Sequence, residues 1–203
     1  MDTKSQILKH ALELYNQQGV NSTTSRHIAA KMEISPGNLH YHFKHTEEII
    51  EVLWKQLVTQ FDLLMLELKK FRDINMEVLI GFTMQSFELV YKYRFIFLHF
   101  VEIGLRIPAI KKEYYALTQR REIEFLYIFS QLQQNKVMKA NIPNDVLQSL
   151  VTQIFIIGDF WLSNNELTLK LKGNKAVAHY SKVFSDLFYP YLVKPPKGTT
   201  ILT

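Results

Sequence analysis

Cysteine is absent from the 203 residues, which removes disulfides, zinc-thiolate fingers and thiol nucleophiles and accords with a reducing, cytoplasmic setting. Glycine is scarce, with seven in the chain. There is no glycine-rich phosphate loop, nucleophile elbow or His-Glu-X-X-His zinc site, so nothing marks an enzyme or a bound cofactor. Long hydrophobic runs are also missing. The most apolar run, Phe95 to Leu105, has about 11 residues, contains His99 and Glu102, and is too short to span a membrane. Met1-Asp2-Thr3-Lys4-Ser5 lacks the apolar segment of a signal peptide, and the expectation is a soluble chain with no membrane association. Charge is not concentrated either. The net +5 permits a polyanionic partner, but residues 1–45 hold five Lys or Arg against three Asp or Glu, so recognition there must rest on specific contacts rather than bulk field.

What is present is helix. With 47% hydrophobic residues the chain is able to bury a sizeable core. Near the N-terminus, Thr3 with Gln6 three residues on has the form of a capping box, followed by Ile7, Leu8, Ala11, Leu14 and Tyr15 at helical spacing, and Gly19 is placed to stop that helix. Thr23 or Thr24 is expected to cap a short second helix, Ser25 to Met32, with Ile28 and Ala29 on its apolar side. Glu33-Ile34 makes a tight turn. Ser35 then caps a third helix and Pro36 suits its first position, where a missing N–H is no loss. Leu39 and Phe43, four apart, give that helix a packing face, whereas Gly37, Asn38, Tyr41 and His42 project elsewhere. The pattern is a helix-turn-helix with one face turned inward and another free to touch DNA.

The run Thr24-Ser25-Arg26-His27-Ile28-Ala29-Ala30, then Ile34-Ser35-Pro36-Gly37-Asn38-Leu39-His40-Tyr41-His42-Phe43-Lys44 and Glu47-Glu48-Ile49, resembles the DNA-binding domain of the tetracycline-repressor (TetR) family of bacterial regulators. The match spans residues 3 to about 55, and the remainder agrees in length and helical character. The resemblance implies an all-α fold: a three-helix DNA-binding domain, residues 1–46, joined by a long helix to a larger ligand-binding and dimerisation domain, residues 47–203. It implies a homodimer on a double-stranded, near-palindromic operator, released by a small-molecule effector. Carried over by position, Thr24, Ser35, Tyr41 and His42 position phosphates, Gly37 permits close approach, and Pro36, Asn38 and His40 lie near base edges. Two positions depart from the family pattern: position 40, commonly Tyr, is His, and position 46, commonly a phosphate-binding Lys, is Thr. Lys44 is a candidate substitute for the missing cation, and Thr46 a candidate cap for the following helix.

From Glu47 to about Phe71, apolar residues recur at helical spacing without Gly or Pro, a rod of roughly 37 Å and a natural lever between two parts of the chain. Further helices are expected over Met76 to Tyr93, Phe95 to Leu105, Ala109 to Val137, Asn144 to Ser163 and Lys175 to Leu192. The tail after Val193, with Pro195-Pro196 and Gly198, reads as disordered. The last two helices show apolar surfaces broader than one packing face needs, and are expected to pair with a second copy as a four-helix interface near Gly158. Twelve aromatic residues between 82 and 129 could line an apolar pocket or simply fill a core. Ionisable groups within apolar runs, His99, Glu102, Arg106 and Asp159, together with Trp161, are the candidate ligand-binding residues. The competing account is structural: Glu102 paired with Arg106, and Asp159 in an interface hydrogen bond. His40 and His42 lie about 200° apart around a helix and do not suit one metal ion. Two rivals to a ligand-responsive regulator remain: a helical domain that answers to a protein partner, and a helical enzyme.

Overall fold

The computed structural model describes residues 2–71 and 73–194, so of the tail after Val193 that reads as disordered, all but Lys194 lies outside the described residues. Among the described residues ten helices follow one another: α1 (Thr3–Gln18), α2 (Ser25–Lys31), α3 (Pro36–His42), α4 (Thr46–Lys70), α5 (Met76–Lys92), α6 (Arg94–Leu98), α7 (Phe100–Arg106), α8 (Pro108–Gln134), α9 (Asn144–Leu167) and α10 (Asn174–Asp186). A 3-10 turn, Tyr189–Tyr191, completes them. Among the described residues the only β feature is one isolated bridge, Met138 to Leu192, and the alternating leucines after Glu166 form no strand.

Local chemistry sets the first three helices, with one change from expectation. Asp2, not Thr3, caps α1 by accepting a hydrogen bond from the Ser5 N–H at 2.7 Å. That contact lowers the Asp2 pKa, because the carboxylate is the form that accepts it. Thr24 caps α2 and Ser35 caps α3, each hydroxyl accepting from the backbone N–H three residues on. Thr23 is buried and donates to the Gly19 carbonyl instead. Glu33, in the left-handed region at φ 56°, makes the turn between α2 and α3. Ile7, Ala11, Tyr15, Ile28, Leu39, Phe43, Ile49 and Ile50 close a small core over which α1 to α3 sit on the start of α4.

Two helices differ from what periodicity predicts. Phe95 to Leu105 is not one helix: at His99 the backbone leaves helical geometry (φ −118°, ψ 26°), so α6 buries Phe95, Ile96 and Phe97 while α7 turns toward α8. α9 runs one turn past Ser163 to Leu167. It is also long and apolar enough to cross a membrane by length and composition, a property the shorter Phe95 segment does not share. Within this fold α9 is a packing helix, burying Leu147, Leu150, Val151, Ile154, Trp161, Leu162 and Asn165.

Of the last two helices, for which pairing with a second copy is expected, α10 turns its apolar stripe inward. Its stripe of Val177, Tyr180 and Phe184 is covered inside the protomer, mainly by α5 and then by α9. Apolar side chains left uncovered include Tyr115, Ile123 and Tyr127 along α8, Ile156 and Phe160 on the adjoining α9, and Val183 on α10. The α10 stripe is thus explained by burial, and α8 and α9 together present one exposed apolar surface.

Candidate nucleic-acid interface and ligand cavity

The outward side of α3 has the composition expected of a reading face. Leu39 and Phe43 are buried, while Ser35, Pro36, Gly37, Asn38, His40 and Lys44 are exposed and Tyr41 is 85% exposed. His42 is half-buried beneath Tyr41, the two rings meeting edge to face at 5.2 Å. Thr24 and Ser35 use their oxygens as acceptors in capping, which leaves each hydroxyl proton free to be donated to a phosphate oxygen. A capping residue and a phosphate donor are therefore compatible roles for one side chain.

Thr46 is not the cap of α4. It occupies the first helical position after His45, which makes no side-chain cap, and its hydroxyl donates to Glu47 Oε2 at 3.0 Å. Glu48 instead reaches back to accept from the Lys44 N–H at 3.2 Å. Thr46 is half-buried, whereas Lys44 is exposed.

Between the three-helix head and the rest lies a polar seam that includes three of the predicted ligand residues. Arg106 donates to Glu47 Oε1 through Nε and Nη2 at 2.8 and 2.5 Å, in place of the expected pairing with Glu102. Partial burial pushes the Glu47 carboxyl up, but the Arg106 hydrogen bond and charge, aided by Thr46, bring it below its ordinary value. Glu102 faces His99 at 3.3 Å, and its pKa is lowered first by Asn21 of the head and then by His99. His99 itself lies against the head, where a Cβ built on Gly19 would come within 3.2 Å of its Nε2. Asn16 adds two more links, donating to the Lys92 carbonyl at 2.8 Å and accepting from the Phe95 N–H at 3.1 Å. His99, Glu102 and Arg106 are thus placed at the junction of head and body; His99 and Glu102 line only a shallow surface recess there.

A more enclosed, mostly apolar cavity of about 120 Å³ opens among α4, α5, α6, α7, α8, α9 and α10. Of the predicted ligand residues, only Asp159 lines it. Trp161 is buried behind the cavity wall, stacked on Phe87 at 5.3 Å. The wall is mostly aromatic and aliphatic, with Thr83, Ser86, Arg121, Asp159 and the Tyr114 phenol as its polar positions. Tyr114 donates to Asp159 Oδ2 at 2.5 Å. Removal of water by the surrounding protein raises the Asp159 pKa to about 7 although this hydrogen bond favours the carboxylate, and burial beside that carboxylate also raises the phenol's pKa. At another part of the wall buried Arg121 bonds Asp62 and Glu124, and Lys69 approaches Glu124 at 2.7 Å.

Tyr114 is one of the aromatic residues expected to line a pocket, but its bond to Asp159 was not foreseen, and Arg121 and Thr83 were missed as cavity residues. Tyr114 and Arg121 stand seven apart, which places them on one face of α8, and that spacing was a usable signal. Thr83, a polar residue in an otherwise apolar stretch, was another. Among the described residues no cluster of three or more His, Asp or Glu is arranged to hold a metal ion.

The chain matches two family profiles. One, described as "Bacterial regulatory proteins, tetR family", covers residues 7–53, and the other, "Bacterial transcriptional repressor", covers residues 44–197. Among curated proteins, the HTH-type transcriptional regulator QacR of Staphylococcus aureus is 44% identical over 54 residues, or 26% of this chain and 29% of QacR. The HTH-type transcriptional regulator AcrR of Shigella flexneri is 35% identical over 54 residues, 27% of this chain and 25% of AcrR. These matches thus span little more than a quarter of either relative's length. A crystal structure of a TetR-family transcriptional regulator from Marinobacter aquaeolei shares the fold with a TM-score of 0.86 at 24% identity, covering 95% of this chain and 92% of that one.

Proposed function

Because the chain belongs to the TetR family of DNA-binding bacterial transcriptional regulators, we propose that it is a homodimeric repressor, released from a near-palindromic operator when a small, mostly apolar molecule occupies the α4 to α10 cavity. The observation that carries the DNA half is the sided third helix, with Leu39 and Phe43 buried and Asn38, His40 and Tyr41 exposed. In a dimer the two α3 helices enter successive major grooves about one helical turn apart. Tyr41, His42, Thr24, Ser35 and Lys44 bind phosphates, Gly37 lets the backbone approach, and Pro36, Asn38 and His40 meet base edges.

The cavity favours a small molecule over a protein partner as the signal. α4 supplies both its wall, through Trp54, Leu57, Phe61 and Met65, and the Glu47 end that joins the head. Ligand in the cavity tilts α4 and changes the distance between the two heads. A coupling of about 1 to 3 kcal/mol corresponds to a 5- to 150-fold loss of DNA affinity. Dimerisation uses the exposed α8 and α9 face, and the protein works in the cytoplasm.

The test is selection of a preferred duplex from random DNA, then anisotropy titration with wild type and Tyr41→Ala. Loss of one charged phosphate contact is expected to weaken binding by about 1 to 3 kcal/mol per subunit, with sedimentation still showing the dimer. Absence of binding to any duplex at low salt would sink the reading.

A further inference from the structure

The cavity encloses an acid that the protein only partly answers. Among the described residues, Asp159 receives the Tyr114 hydroxyl and forms no ion pair with a basic side chain. A carboxylate offers about four acceptor sites, so one phenol leaves most of its capacity unused. Arg121 is the other charged group in the wall, and it is already matched by Asp62 and Glu124. It also stands two turns of α8 from Tyr114, roughly 10 Å along the axis, so it serves a different level of the cavity.

Around the acid the walls are aromatic. The Phe100 and Tyr114 rings meet edge to face at 4.8 Å, Trp54 lies 6.2 Å from Phe100 and 6.3 Å from Tyr114, and Phe97 lies 5.9 Å from Phe100. Ring faces carry negative potential, which attracts a cation. An anion entering here would meet both those faces and Asp159. A neutral apolar molecule would leave the carboxyl without further compensation.

We propose that the cavity takes an organic cation, an alkyl- or arylammonium whose charged head sits against Asp159 among Trp54, Phe100 and Tyr114 while its apolar body extends toward Phe82 and Phe125. The proposal rests on the cavity being the effector site of the regulator. Near neutral pH the empty site holds Asp159 as a mixture of acid and carboxylate, since its pKa is raised to about 7. A cation favours the carboxylate, so binding strengthens as pH rises through that range. The other charged or titratable groups around it are Arg121, Glu122 of the adjoining outer groove, Glu113 held by Trp54 and Lys55, and His99 in the recess beyond Phe160.

Calorimetric titration of the full chain with benzyltrimethylammonium and decyltrimethylammonium, against decanol and decanoate, tests this. The cations are expected to bind at least about tenfold more tightly than the neutral and anionic probes, and about tenfold more tightly at pH 8 than at pH 6. In Asp159→Asn, checked for an unchanged circular dichroism spectrum, cation affinity falls about tenfold or more and its pH slope disappears, while decanol affinity is retained. Slope persisting in that variant would count against the proposal. The wild-type pH comparison stands even if the variant fails to fold. No cation binding, or equal binding of decanol or decanoate, overturns the proposal. The same probes are added to the protein on its selected duplex. Release by decanoate but by no cation would leave the regulator standing and remove the cation. Asp159-dependent cation binding that never alters DNA affinity would keep the binding chemistry and remove the effector role.

Discussion

Asp159 holds a proton more tightly in the folded chain than in the unfolded one, because burial raises its pKa from 3.8 to about 7. Between those values the native state binds more protons, so the group's contribution to stability declines as pH rises and its penalty is fully developed above about pH 7. Asp159→Asn, which keeps an acceptor for Tyr114, is therefore expected to raise the melting temperature more at pH 8 than at pH 4, by an equivalent of a few kcal/mol at most. Thermal unfolding at the two pH values checks the sign; an equal gain at both would mean the charge is not penalised. Thr46 gives a second prediction at this scale. Restoring a cation by Thr46→Lys adds a phosphate contact per subunit and should steepen the slope of log affinity against log salt by about 0.9 per site, or roughly 1.8 for a dimer. The hydroxyl's bond to Glu47 is lost in that change, so a stability measurement accompanies the salt titration.

At the scale of elements, Gly19 ends α1 at φ 79° and ψ 166°, a region nearly closed to side chains, and faces His99 across the junction. Gly19→Ala is expected to destabilise the fold by about 1 to 3 kcal/mol. Removing the opposing ring with His99→Ala should restore only the steric part, leaving the backbone part in place, and denaturant melts of the single and double variants separate the two. Full restoration would show that φ at this position costs nothing. The comparison of sequence with structure divides along the same line. α3 was legible because its signals are local: Ser35 caps it, Pro36 starts it, and Leu39 and Phe43 mark its inner face. The break at His99 was not, since no Gly or Pro announces it and it follows from docking α6 on α9 while α7 meets α8. Helical spacing offered Glu102 as the partner of Arg106, whereas its partner Glu47 lies 59 residues away. Of the cavity, Asp159 was legible as an acid in an apolar run and the aromatic lining as a concentration of rings between 82 and 129, six of which line it; the aliphatic walls come from separate helices whose convergence leaves no mark in any one of them.

For the whole molecule, the exposed apolar side chains of α8 and α9 make a second copy of the chain the natural cover. Phe160→Glu or Ile123→Glu is expected to shift the dimer to monomer in sedimentation velocity and to weaken DNA binding, because a monomer engages one half-site. Val183→Glu on α10, also exposed but on the helix whose apolar stripe packs on α5, should leave the dimer intact. Dissociation by the α10 change and not by the α8 or α9 changes would move the interface. α9 carries Asp159 on the cavity side and Phe160 next to it on the exposed side. In the proposed dimer, a molecule lodged in one subunit would press on the same helix that the neighbouring subunit leans against. The two cavities of a dimer are then not independent receptors, and their occupancy curve should depart from a simple hyperbola, with a Hill coefficient different from one that returns to one in the Phe160→Glu monomer.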